Sequence, residues 1–180
     1  MKMSLRTLIY PIIALTAFGL DFLSKIAIQK NMTLYQSQEI IGEFLKFTFV
    51  LNKGITFGMF NNANGNSPSF MPVILVVMAF TAMLIVLYLF FNLSKYLKDG
   101  IPQEIARVAI MFVVGGALGN IVDRMINKAV VDFIDMGIGN LRWFTYNVAD
   151  SFVVVGAIIL GVLFVFFEKK EHLKKESEHK

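Results

Sequence analysis

The chain has 180 residues, 56% of them hydrophobic and 17% charged, with a net charge of +4; soluble domains usually carry roughly 25% charged residues, so this composition argues for a protein whose apolar surface faces lipid. It has no cysteine and only two histidines, His172 and His179, both in the polar C-terminal tail, which rules out disulfides, thiolate metal sites, cysteine nucleophiles, serine–histidine–aspartate triads and histidine-based zinc centres. Acid–base chemistry is left to carboxylates, lysine and tyrosine; no metal or cofactor is expected, and the scattered basic residues form no nucleic-acid footprint.

Four apolar runs, 7–29, 71–93, 105–122 and 151–167, approach or exceed the ~20 helical residues that cross a bilayer. The expected fold is an all-α membrane protein of one domain: four transmembrane helices with a small extracytoplasmic β-containing loop domain. In the first run, Lys2 and Arg6 precede an apolar stretch as in a signal peptide, but no A-x-A-like cleavage site follows and Asp21 and Lys25 interrupt it. It reads as an uncleaved span. Asp21 and Lys25, four apart and acid first, share a helix face and are either a self-neutralising ion pair or part of a site. Ser24 and Lys25 point about 100° apart and do not make a serine–lysine dyad.

In the loop 30–70, Leu45, Phe47, Phe49 and Leu51 recur at period two, the pattern of a strand with one apolar face. Asn52 and Gly54 follow, and 61–68 is a polar, turn-rich stretch. In the third run, Gly115, Gly116 and Gly119 form a small-residue step of the kind that packs helices. Asn120, Asp123 and Arg124 come at its end. Within the loop 123–150, Asp132 is either a solvated acid paired with Arg124 or Lys128, or a site residue. Asp135 reads as solvated. Asn147 and Asp150 stand at the entry to the fourth run, where Asp150 is either a helix N-cap or a functional acid.

The termini and the segment 94–107 hold ten Lys and Arg, against six in the longer loops 30–70 and 123–150. The basic excess predicts cytoplasmic termini, with a tail over 168–180 and both long loops outside. On that topology every unusual polar residue falls at one membrane depth, on one side. Ionisable groups in such positions mark function, either in an enzyme or in a small proton-coupled transporter or channel; a structural scaffold would not require them to converge.

The motifs go further. Gly115-Gly116-Ala117-Leu118-Gly119-Asn120-Ile121-Val122-Asp123-Arg124 resembles the G-G-A-x-G-N-x-x-D-R block of the lipoprotein signal peptidases (signal peptidase II), and Val130-Val131-Asp132-Phe133-Ile134 their V-V-D-F-I segment. Asn147-Val148-Ala149-Asp150-Ser151 is similar to N-x-A-D-S, Asp21 to Lys25 to D-x-x-S/T-K, and Asn52-Lys53-Gly54 to N-x-G. The resemblance runs in order through nearly the whole chain. It implies an aspartic endopeptidase of the bacterial cytoplasmic (inner) membrane that removes signal peptides from prolipoproteins, cutting before the lipid-modified cysteine. It also implies catalytic roles for Asp132 and Asp150, with Asp21, Lys25, Asn52, Gly54, Asn120, Asp123, Arg124 and Asn147 binding substrate or supporting the pair. The expected partners are lipid-modified prolipoproteins and membrane lipids, the expected state a monomer. Two departures are visible: Tyr146 where the family usually has Phe, and Ile55 and Thr56 where it commonly has small residues.

Overall fold

The computed structural model describes residues 5–54 and 70–168. The polar stretch 61–68, Ile55, Thr56 and the tail with its two histidines lie outside the described residues. Four long helices are connected in order with four strands: α1 (Leu5–Asn31), β1 (Ser37–Ile41), β2 (Leu45–Asn52), α2 (Met71–Tyr96), α3 (Ile101–Asn127), β3 (Val130–Ile138), β4 (Leu141–Arg142) and α4 (Val148–Phe167). All four helices are long and apolar enough to cross a membrane. They overrun the apolar runs at several ends. Helix α3 continues past Val122 because Asp123 is turned inward and buried, so its charge does not break the helix.

Helix α3 packs against each of the other three. Its glycines are what let it come so close. A methyl group on Gly115 would stand 2.5 Å from the Ala14 carbonyl oxygen of α1, and one on Gly116 would stand 2.5 Å from that of Ala149 in α4. Leu93, Leu97, Ile110 and Leu163 belong to an apolar core that continues to Ala14 and Val114. The turn into α3 depends on Gly100, whose φ of +93° is open to glycine and strained for other residues.

The strands form one antiparallel sheet in the order β1-β2-β3-β4. The period-two strand expected at Leu45 to Leu51 is β2. The sheet around it is larger than a single strand in a loop: β3, inside the segment read as the loop 123–150, lies at its centre. Phe49, Val131 and Phe133 pack with Ile28 near the end of α1 and Met32 just beyond it, and Val148 from the start of α4 flanks them. One face of the sheet therefore rests across helix ends. That contact brings Asn52 and Asp132 to the mouth of the bundle.

The close approach of α3 and α4 gives a test by paired substitutions. Gly116→Ala must push Ala149 and Val153 aside and is expected to destabilise the protein by about 1–3 kcal/mol, seen as a lower midpoint of thermal unfolding in detergent. Gly161→Ala meets no atom within 4 Å and should leave the midpoint unchanged or slightly raised. Equal effects of the two would mean that close packing at Gly116 is not what seats α4.

Candidate active site

Lys25 is buried, and its ammonium makes three polar contacts. Nζ lies 2.7 Å from Asp21 Oδ2 and 3.1 Å from Asp123 Oδ2, and it donates to Asn120 Oδ1 at 3.0 Å. Its charge is answered by two carboxylates, one from α1 and one from α3, and one proton is placed on the Asn120 side-chain oxygen. The contact with Asp21 is a close ion pair outside hydrogen-bond alignment, since Oδ2 has no hydrogen-bond donor among the described residues. The other Asp21 oxygen accepts the Ala149 N–H at 2.9 Å, and Asp123 Oδ2 accepts the Val131 N–H at 3.1 Å. The triad thus ties α1 to α3, to the first turn of α4 and to the start of β3.

Asn120 carries this order toward the sheet. With its oxygen facing Lys25, its amide nitrogen is left to donate, which it does to Asp150 Oδ1 at 2.8 Å. Asn147 is the second hub. Its amide nitrogen donates to Asp132 Oδ1 at 2.7 Å and to Asn120 Oδ1 at 3.2 Å, and its oxygen accepts the Asp150 N–H at 2.9 Å. Asn147 N–H reaches back to Asp150 Oδ2 at 3.2 Å, completing a capping box at the start of α4. Asn52 donates to Asp132 Oδ2 at 2.9 Å, and the Gly54 N–H holds the Asn52 oxygen at 3.1 Å, so that its amide nitrogen faces the acid. Every oxygen of Asp132 and Asp150 accepts a hydrogen bond, and two asparagines join the two carboxyls.

The structure therefore gathers Asp21, Lys25, Asn52, Gly54, Asn120, Asp123, Asp132, Asn147 and Asp150 into one network. Arg124 joins it more loosely. Its guanidinium donates to the Asn120 carbonyl oxygen at 3.4 Å, feels the charges of Asp150, Asp132 and Asp123, and makes no ion pair among the described residues. Burial pushes the Asp132 carboxyl up to about 6; the hydrogen bond from Asn52 opposes this, the charge of Asp150 adds to it, and Asn147 and Lys25 pull it down. Among the described residues no group of acids or histidines is arranged to hold a metal ion.

The structure removes an alternative left open at Asp132, narrows the one at Asp150 and changes the reading of Asp135. Asp132 is not a solvated acid paired with Arg124 or Lys128: it is buried and held by two asparagine amides. The N-cap of α4 is Asn147, with Asp150 at the third helical position. Asp135 is not solvated either. It is buried, paired with Arg142 Nε at 2.7 Å and accepting from Thr48 at 3.0 Å. This clamp went unseen because Asp135 and Arg142 meet only when β3 and β4 fold as a hairpin; the Gly139-Asn140 turn between them was the available signal. The serines make no dyad with Lys25, since Ser24 and Ser151 bond to helix backbone.

Emptying the triad tests its structural part. Lys25→Met would leave Asp21 and Asp123 buried without a counter-charge, a loss of about 3–5 kcal/mol, read as folded yield and thermal midpoint. Adding Asp21→Asn and Asp123→Asn to it should recover most of the loss. No recovery would show that packing of the lysine stem, and not charge, is what matters.

Comparison with known proteins places this arrangement. The profile of the family described as Signal peptidase (SPase) II matches residues 13–167. A lipoprotein signal peptidase of Alteromonas mediterranea is 36% identical over 149 residues, covering 82% of this chain and 75% of the relative. One from Clostridioides difficile is 32% identical over 164 residues, covering 91% of this chain and 99% of the relative. Two solved structures described as bacterial membrane enzymes superpose with TM-scores of 0.67 and 0.68 at 26% and 28% identity, covering 95% and 85% of this chain and 90% of each of theirs. The resemblance drawn from the motifs is thereby borne out, and the chain belongs to the signal peptidase II family of aspartic peptidases.

Proposed function

We propose that this protein cleaves the signal peptide from lipid-modified bacterial prolipoproteins, before the diacylglyceryl cysteine, with Asp132 and Asp150 as the catalytic pair. The observation that carries the reading is the amide bridge. Asn120 and Asn147 join the two carboxyls in one hydrogen-bonded set, in a chain of an aspartic peptidase family. Two carboxyls that feel each other's charge do not both ionise cheaply, and they hold one proton between them as a unit. The ionised member takes a proton from water, whose oxygen attacks the scissile carbonyl; the protonated member donates to the oxygen that becomes negative. Burial favours the protonated form of Asp132.

Arg124, the cation of the site without an ion-pair partner among the described residues, is suited to bind substrate carbonyls, while Asp21, Lys25, Asn52, Gly54, Asn120, Asp123 and Asn147 hold the pair. Both termini face the cytoplasm on the distribution of basic residues, which puts the site at the outer surface of the inner membrane. The signal helix and acyl chains of the substrate then reach it through the bilayer. The network is complete within one chain, so a monomer suffices for the proposed chemistry. Proton-coupled transport is disfavoured, because the chain belongs to a peptidase family.

Purified protein should cleave a lipidated signal-peptide substrate, and Asp132→Asn and Asp150→Asn should each lower turnover by at least about a thousandfold, with the double variant hardly worse. Substantial turnover by Asp150→Asn, normalised to folded protein, would leave it a member of the capping box and no more.

The shared proton also fixes a pH dependence. A mechanism that needs one protonated carboxyl loses activity as pH rises through the upper titration of the pair, to which Asp132, pushed up to about 6, contributes. This titration sets the alkaline limb of kcat/KM. Asn52→Ala removes a hydrogen bond that favours the ionised form. It should raise the pKa and move that limb upward by about 0.5–1 pH unit. A limb that stays in place or moves down would exclude Asp132 as a contributor to it.

A further inference from the structure

The buried glycines of α3 do not all serve the same end. Methyl groups on Gly115 and Gly116 would meet backbone carbonyls of α1 and α4, so these two let helices approach. Gly119 faces something else. A methyl group there would stand 2.3 Å from Asp21 Oδ2, 3.1 Å from Asp21 Cγ and 3.5 Å from Ala149 Cβ. The space left by its missing side chain is filled by a carboxylate that reaches across from α1, and Asp21 is fully buried there.

This carboxylate cannot step aside freely. Its side chain is short and both oxygens are engaged: Oδ1 accepts the Ala149 N–H at 2.9 Å, and Oδ2 stands 2.7 Å from Lys25 Nζ. To clear a methyl group at residue 119 it would have to retreat by roughly 1 Å, enough to take a hydrogen bond out of range. The Ala149 N–H belongs to the first turn of α4, behind the Asn147 cap, where N–H groups have no partner within the helix. Asp21 is its acceptor, and the next residue is Asp150. On its other side Gly119 precedes Asn120, which accepts from Lys25 and donates to Asp150. One missing side chain thus stands behind both routes by which the buried charges reach Asp150.

We propose that Gly119 is a positioning residue of the active site: its bare Cα seats the Asp21 carboxylate, and through Ala149 and Asn120 that seat sets where the Asp150 carboxyl stands. The consequence for cleavage rests on the function proposed above; the seat itself does not.

A double-mutant cycle on the full chain in detergent tests this with two measurements. Hydrogen exchange at the Ala149 amide, followed by NMR on protein carrying isotope-labelled alanine, reports the seat with no substrate present. Gly119→Ala and Asp21→Ala should each speed it by at least about tenfold, and the double variant should be no faster than Asp21→Ala, since no carboxylate is left to displace. Turnover of the lipidated signal-peptide substrate, normalised to folded protein, should follow the same rule. In the native background Gly119→Ala should lower kcat by at least about tenfold and change KM by less than about twofold; on top of Asp21→Ala it should lower kcat by less than about twofold. Unchanged exchange in Gly119→Ala, or an equal added loss in both backgrounds, overturns the proposal. Should Gly119→Ala yield no folded protein, Asp21→Ala must restore folding to it, and failure to do so overturns the proposal as well. Faster exchange in Gly119→Ala, in a protein whose native form cleaves nothing, would uphold the seat and sink the proposed activity instead.

Discussion

A buried ammonium must have its charge answered, and Lys25 is where this protein meets that demand. Its three partners fix more than the lysine. Asp21 and Asp123 are each held by a backbone N–H of another element, and Asn120 is left with one way to orient its amide. Reversed, Asn120 would set an amide N–H against the ammonium and an oxygen against Asp150. The direction of hydrogen bonding at the carboxyl pair thus descends from one charge placed deep between α1 and α3.

Structural and chemical roles are not alternatives in this site. Asp150 belongs to a capping box and to the carboxyl pair, and Asn147 caps α4 while donating to Asp132. The first turn of α4 also presents a partial positive charge from N–H groups that have no partner within the helix, and Asp21 and Asp150 place negative charge close to it. The residues that start the helix correctly are the ones that hold the acids correctly.

The spans were legible because lipid imposes one simple pattern, a long apolar run, and the site because its residues fall at the ends of those runs within the family motifs. Strand β2 showed its period of two. Strand β3 did not: Val130, Val131, Asp132 and Phe133 are all buried, since helix ends and network cover the strand together, and burial on both sides erases alternation. The partners of Asp135 were hidden for a different reason. A pairing such as Asp135 with Arg142 and Thr48 depends on strand register, which the local sequence does not state. The glycines of α3 were read as a packing face, and the carbonyl oxygens of Ala14 and Ala149 beside Gly115 and Gly116 show that they are one.

The double duty of Asn147 has a consequence for how the molecule comes apart. Local opening of a protein proceeds in cooperative units, and here the outer end of α4 and the centre of the sheet are fastened by the same amide. Fraying of the first turn of α4 would release Asp132 and Asp150 together, and lifting of β3 would uncap the helix. A partly opened molecule therefore loses both acids at once. On the proposed assignment of the two acids, a hydrolase built in this way is either assembled or inert.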